Sequence, residues 1–184
     1  YVLREKFSLP NLATHVSEGS SVPKSVADYF TSMLDQSLDW NRAEAIRKQW
    51  DGPFCLKGIV AVEDAKRAVE IGATAIMVSN HGGRQLDGSR APFDALAEIV
   101  DAVGDRIEVI CDGGITRGTH VLKALSVGAK ACSGGRLYLY ALAAAGEDGV
   151  ARAIALLRAE MERGMKLMGA KTLTDLSRDN LRWR

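Results

Sequence analysis

Ala75-Ile76-Met77-Val78 runs without a break into Ser79-Asn80-His81-Gly82-Gly83-Arg84-Gln85-Leu86-Asp87. The first four residues form a short apolar run of the kind expected of a strand buried on both faces. Polar residues begin where that run stops. His81 and Arg84 are therefore expected at the carboxyl end of a strand, where parallel α/β folds keep their chemistry. Gly82-Gly83 places a flexible hinge between them.

The same texture repeats outward from this stretch. From Pro53 onward, strands are expected at 54–59, 75–79, 108–111 and 131–133. Helices are expected after them at 62–71, 93–103, 119–127 and 150–168, with a further helical segment at 137–145. Gly72-Ala73 and Gly128-Ala129 lie just ahead of two of the strands, as glycines that stop helices in a left-handed turn do. Val150, Ile154, Leu157, Met161, Met165 and Met168 recur at helical spacing and are read as a core-facing stripe. Four βα units in succession, with no antiparallel signal, predict a parallel α/β sheet. Four strands make half of an eight-stranded (β/α)8 TIM barrel, which takes ~250 residues when complete, so the 184 residues here are expected to supply about half of one.

Composition narrows the function classes. The chain carries 24 basic and 23 acidic side chains, a net charge of +1, and 47% hydrophobic residues. That balance gives no reason to expect a nucleic-acid partner. No apolar run approaches the ~18 residues of a membrane span, and the amino terminus has no signal-peptide order, so a cytoplasmic location is expected. Cys55, Cys111 and Cys132 lie in separate apolar segments without metal-ligand spacing and are read as buried, reduced thiols, with no metal. Residues 1–45 are polar and weakly periodic, a long loop with a short helix expected near 25–34, whereas 46–184 hold the βα units. Tyr1 in the place of an initiator methionine is read as the mark of a fragment or processed product.

Three glycine-rich strand ends carry the chemistry. A neutral imidazole at His81 can take a proton near neutral pH, and the guanidinium of Arg84 can grip a carboxylate with two parallel bonds. Together they suit oxidation of a small 2-hydroxy acid. Asp112-Gly113-Gly114-Ile115-Thr116-Arg117-Gly118 leads from a strand into a helix, and its glycines and free helix N–H groups suit a phosphate, although Asp-Gly-Gly alone is also an ordinary turn. Ser133-Gly134-Gly135-Arg136 repeats the logic one strand later, and the tandem pair with its cation reads as a phosphate cradle. Lys57, inside an apolar segment, either faces a negatively charged cofactor or extends to the barrel mouth. His15 and His120 lie in polar surroundings and receive no role.

Leu56-Lys57-Gly58, Ser79 to Asp87, Asp112-Gly113-Gly114 and Gly135-Arg136, in this order and spacing, resemble the FMN-dependent 2-hydroxy-acid dehydrogenases and oxidases. The run Gly118-Thr119-His120-Val121-Leu122-Lys123-Ala124-Leu125 and the closing Met165-Lys166-Leu167-Met168-Gly169 are most similar to the L-lactate dehydrogenase branch. The resemblance implies FMN as cofactor and oxidation of L-2-hydroxy acids, L-lactate to pyruvate first among them. His81 would be the base and Arg84 the substrate anchor. Lys57 would lie against the flavin ring, and Ser79, Asp112, Gly114, Arg117, Gly135 and Arg136 would complete the cofactor site. The family usually has an arginine where this chain has Thr116. Strands five to eight of the barrel are the part resembled, so the partner expected is the amino-terminal half or a second copy in a homo-oligomer. The competing expectation is a catalytically incomplete half-barrel that binds FMN or phosphate as an assembly module. Residues 1–45 resemble the long loop after the fourth strand, which in mandelate dehydrogenase-like members engages the membrane, so peripheral contact with the inner membrane is the alternative to a purely cytoplasmic location.

Overall fold

In the computed structural model, which describes residues 33–182, the four expected strands pair in parallel. They are β1 (Cys55–Ile59), β2 (Ala75–Val78), β3 (Glu108–Asp112) and β4 (Ala131–Ser133). Their order across the sheet is the order of the chain, β1-β2-β3-β4. This is the order of a barrel segment, because a doubly wound sheet reverses direction at a switch point. The helices are α1 (Trp40–Lys48), α2 (Val62–Glu70), α3 (Pro92–Val103), α4 (Gly118–Val127) and α5 (Arg136–Met168). The chain divides between Arg42 and Ala43 into two units, and the sheet belongs to the second, Ala43–Arg184.

Local chemistry explains the helix limits. Pro92 opens α3, where its missing N–H would have no partner anyway. Gly128 ends α4 at φ 119°, and Ala129 N–H reaches back to the Ala124 carbonyl at 3.1 Å. The start of α4 lies so close to α5 that a Cβ at Gly118 would fall 2.6 Å from the Leu157 carbonyl oxygen, which no side chain can tolerate.

One face of the sheet is sealed. Ile76, Val78, Val109 and Cys111, aligned by register, meet Ala95, Leu96, Ile99 and Val103 of α3 in a core from which solvent is almost wholly excluded. The opposite face is only half-covered: Met77 and Ile110 keep part of their surface. The expectation of burial on both faces of β2 thus holds for Ala75, Ile76 and Val78, with Met77 half-buried. The reading of three buried thiols holds for Cys111 alone: Cys132 is half-buried, and Cys55 is exposed because β1 is an edge strand here and Cys55 is its first residue.

The two helical segments expected at 137–145 and 150–168 are present as the two halves of α5, which breaks at the non-helical Ala145 and Gly146. Two further expectations are revised. The methionine stripe of α5 is half-covered, with Ile154 and Met168 exposed. Trp40–Lys48, expected to be mostly loop, is a helix with no buried residue. Apart from its last two positions, the helix expected at 25–34 lies outside the described residues.

Candidate functional site

The carboxyl ends of β1, β2 and β3 meet in a polar row. Lys57 on β1 donates from Nζ to Asp112 Oδ2 at 2.6 Å and to Ser79 Oγ at 2.8 Å. The Ser79 hydroxyl in turn donates to Asp112 Oδ2 at 2.5 Å. Register accounts for the meeting: Val78 pairs with Cys111, so Ser79 comes level with Asp112, which itself pairs with Ser133. Burial would raise the Asp112 carboxyl, but hydrogen bonds from Lys57, Ser79 and Ser133, with the Lys57 charge, hold it below its ordinary value.

Ser79 leads into a tight turn, His81–Gly83. Asn80 caps it, its Oδ1 accepting Gly82 N–H at 3.0 Å, while Ser79 Oγ accepts His81 N–H at 3.1 Å. His81 sits at φ 56°, the left-handed region that non-glycine residues avoid. Gly82 follows at φ 71°, and a Cβ there would fall 2.8 Å from Arg136 Nη2. That approach is a bond: Arg136 Nη2 donates to the Gly82 carbonyl at 3.0 Å, tying the β4 end to the histidine turn. On the other side, a bulge at Gly58 brings β1 close enough that a Cβ there would lie 3.7 Å from His81 Nε2.

His81, Arg84, Lys57, Asp112, Gly114, Gly135 and Arg136 all line one cavity of about 570 Å³, within the usual range for small-molecule sites, ~300–1,000 Å³. Among the described residues the Arg84 guanidinium has no hydrogen-bond or ion-pair partner, so all its donors are available to a ligand. Positions Gly114 and Gly135 have nothing within 4 Å of where a Cβ would stand, which leaves backbone open to the cavity. Ser79 is placed beneath the lining, 2% exposed.

Arg117 is placed elsewhere. Its Nε donates to both Glu160 carboxylate oxygens, at 2.8 and 3.0 Å, and Glu160 also accepts Gly118 N–H at 2.7 Å. The Arg117 bond and the Gly118 N–H together hold the Glu160 carboxyl low. This guanidinium is therefore held by the Glu160 carboxylate of α5, which itself caps the start of α4, and it is Thr116 that faces the cavity. His120, given no role from sequence, contacts the glycine loop: Nδ1 lies 2.9 Å from the Gly114 carbonyl and 3.3 Å from Thr116 N. One ring nitrogen cannot donate and accept at once, and the shorter contact makes it the donor to the carbonyl. Asn80, Glu160 and His120 were the residues that sequence reasoning missed. Only Asn80, a turn-forming type just ahead of Gly-Gly, carried a local signal.

Among the described residues no three His, Cys, Asp or Glu side chains are grouped to hold a metal, and none of their helices is long and apolar enough to cross a membrane. Burial pushes the Cys111 thiol up to about 11 and the Cys132 thiol up to about 12, so both stay protonated near neutral pH.

Residues 3–183 match the sequence profile of FMN-dependent dehydrogenases. The chain belongs to that family. An L-lactate oxidase of Nostoc sp. is 45% identical over 181 residues, 96% of this chain and 49% of that protein. An L-lactate dehydrogenase of Caulobacter sp. is 42% identical over 180 residues, 98% of this chain and 47% of that protein. Among solved structures, a mandelate oxidase with benzoyl-formic acid superposes with a TM-score of 0.74 at 50% identity, covering 77% of this chain and 42% of that one. The chain thus spans about half the length of the relatives it matches. The family resemblance, the FMN cofactor and the barrel class expected from sequence are borne out, and the four-stranded sheet is part of such a barrel. The cavity fits the cofactor of the FMN-dependent dehydrogenases in volume, in glycine backbone left open at Gly114 and Gly135, and in the cations Lys57 and Arg136 on its wall.

Proposed function

We propose that this chain provides the carboxyl-terminal half of an FMN-dependent enzyme that oxidises small L-2-hydroxy acids to 2-oxo acids, with L-lactate as the principal substrate. The observation that carries the reading is the exposure of His81 and Arg84 on one cavity wall that also holds the open glycines and Arg136. The planar guanidinium of Arg84 donates two parallel N–H···O bonds to the substrate carboxylate, which fixes the hydroxyl-bearing carbon in front of the turn. The imidazole of His81 takes one proton from the Cα–OH unit, from the hydroxyl or from carbon. FMN, when bound, would take the two electrons together with the remaining hydrogen of the CH–OH unit. Gly114, Gly135 and Arg136 would hold its phosphate and Lys57 its ring, the ammonium favouring negative charge there. The half-covered inner face of the sheet calls for an amino-terminal barrel half, or a second copy of this chain, to close the site.

The test completes the barrel with the amino-terminal half of a relative and follows flavin absorbance on adding L-lactate. His81→Gln should keep FMN yet slow flavin reduction by at least ~10²-fold, the scale of a lost general base. A His81→Gln protein reduced at the unsubstituted rate defeats the assignment of the base. FMN retained but never reduced by any 2-hydroxy acid identifies the chain instead as an FMN-binding module.

A further inference from the structure

A hydroxyl has one hydrogen and two acceptor lone pairs, and Ser79 spends all three. It accepts from Lys57 Nζ at 2.8 Å and from His81 N at 3.1 Å, and it donates to Asp112 Oδ2 at 2.5 Å. With 2% of its surface exposed, it makes all three bonds inside the fold. What it holds is the amide of His81, the one non-glycine residue with positive φ among the described residues. A left-handed histidine relaxes to ordinary angles unless its neighbours pin it. Two side chains pin this turn from below, Asn80 at Gly82 N–H and Ser79 at His81 N–H. Ser79 is itself fixed by an ion pair between two other strands, so the base is referenced to the sheet rather than to its own loop.

We propose that Ser79 is a positioning residue for His81: it transmits the Lys57–Asp112 pair to the backbone of the base and sets where the imidazole stands over the cavity. This goes beyond the proposed function and rests on it, since it assumes that His81 is the base. It is a role in addition to the cofactor contact that the family resemblance implies for Ser79. The geometry predicts that losing the Ser79 hydroxyl harms catalysis through His81 and through nothing else that FMN occupancy can restore.

The experiment compares Ser79→Ala, His81→Gln and the double variant in the completed barrel, with FMN saturating. Ser79→Ala should slow flavin reduction by L-lactate about ten- to a hundredfold, and the double variant should be no slower than His81→Gln alone, because residues acting as one unit are not additive. Recovery of the Ser79→Ala rate at saturating FMN, or a loss that adds in full to that of His81→Gln, overturns the proposal while leaving the base intact. His81→Gln at the unsubstituted rate removes the functional reading and this proposal with it. A second measurement needs no folded variant: in the unsubstituted chain the His81 amide should exchange with solvent roughly 10²-fold more slowly than an unstructured amide, as a hydrogen-bonded N–H does. Exchange at the unstructured rate overturns the proposal independently of any kinetics.

Discussion

The two faces of the sheet are built from the same four strands and put to opposite uses. On the helix-covered face Ile76, Val78, Val109 and Cys111 are sealed under α3. On the other, one residue along each strand, Lys57, Met77, Ile110 and Asp112 keep solvent contact, and a polar row crosses the strand ends. Alternation along a strand makes this possible, since neighbouring side chains point to opposite faces. The lesson is a division of labour: one face holds the strands in register, and that register aligns Lys57, Ser79 and Asp112 on the other. Stability and site geometry should therefore respond to different substitutions.

The largest effect should come from the sealed face. Leu96 on α3 is fully buried, and Leu96→Ala should lower the unfolding free energy by about 2–5 kcal/mol through lost burial and the cavity left behind. Met77→Ala, on the half-covered face, should cost well under that. Urea unfolding of both variants measures the difference. Equal losses would mean that the two faces are equally closed and would undo the comparison.

The division also governs what could be read from the sequence. The sealed face was legible because it rests on local signals: apolar runs of four or five residues, helical periodicity, and glycines placed to stop helices at Gly72 and Gly128. The site was legible as motifs, since His81, Arg84 and the two glycine pairs sit where the runs end. Its wiring was not. The bond from Lys57 to Asp112 spans 55 positions and exists only through strand register. Arg117 read as a phosphate cation because it follows the glycine loop, but Glu160, 43 residues later, takes it, and no short-range pattern announces that pairing. The stripe from Val150 to Met168 shows the limit of periodicity, which identifies a face and not its depth. α1 was silent for the converse reason: with no residue buried it has no apolar stripe to detect.

On the site face, the next largest effect is expected at Arg136. It is the cation nearest the open glycines, and it already reaches across to Gly82. On the proposed placement, Arg136→Ala would remove a charge-assisted bond to phosphate, about 1.5–3 kcal/mol, and should weaken FMN affinity by about ten- to a hundredfold in a fluorescence titration while leaving the unfolding midpoint of the flavin-free chain nearly unchanged. Thr116→Arg tests the same placement in reverse. Thr116 lines the cavity while Arg117 is engaged by Glu160, so a guanidinium at 116 should tighten binding. Unchanged flavin affinity in both variants would remove the phosphate from this end of the cavity.

The smallest effect, and the one that links the faces, concerns the charge on Asp112. Its carboxyl is held below the ordinary aspartate value of 3.8, against burial, by bonds from Lys57, Ser79 and Ser133. A lowered folded pKa means that the unfolded chain binds the proton first, so the stabilisation is complete above the unfolded value and disappears as pH falls through the folded one. Lys57 is 45% exposed, so solvent screens the pair, and its worth is about 1 kcal/mol. Asp112→Asn should therefore be less stable than the unsubstituted chain by about that amount at neutral pH, with the gap closing as the pH drops below 3.8. Urea midpoints for both proteins from neutral to acid pH decide it. A gap that stays constant on acidification would show that the polar row holds Asp112 by shape alone, and that the charge on the site face contributes nothing to keeping the strands in register.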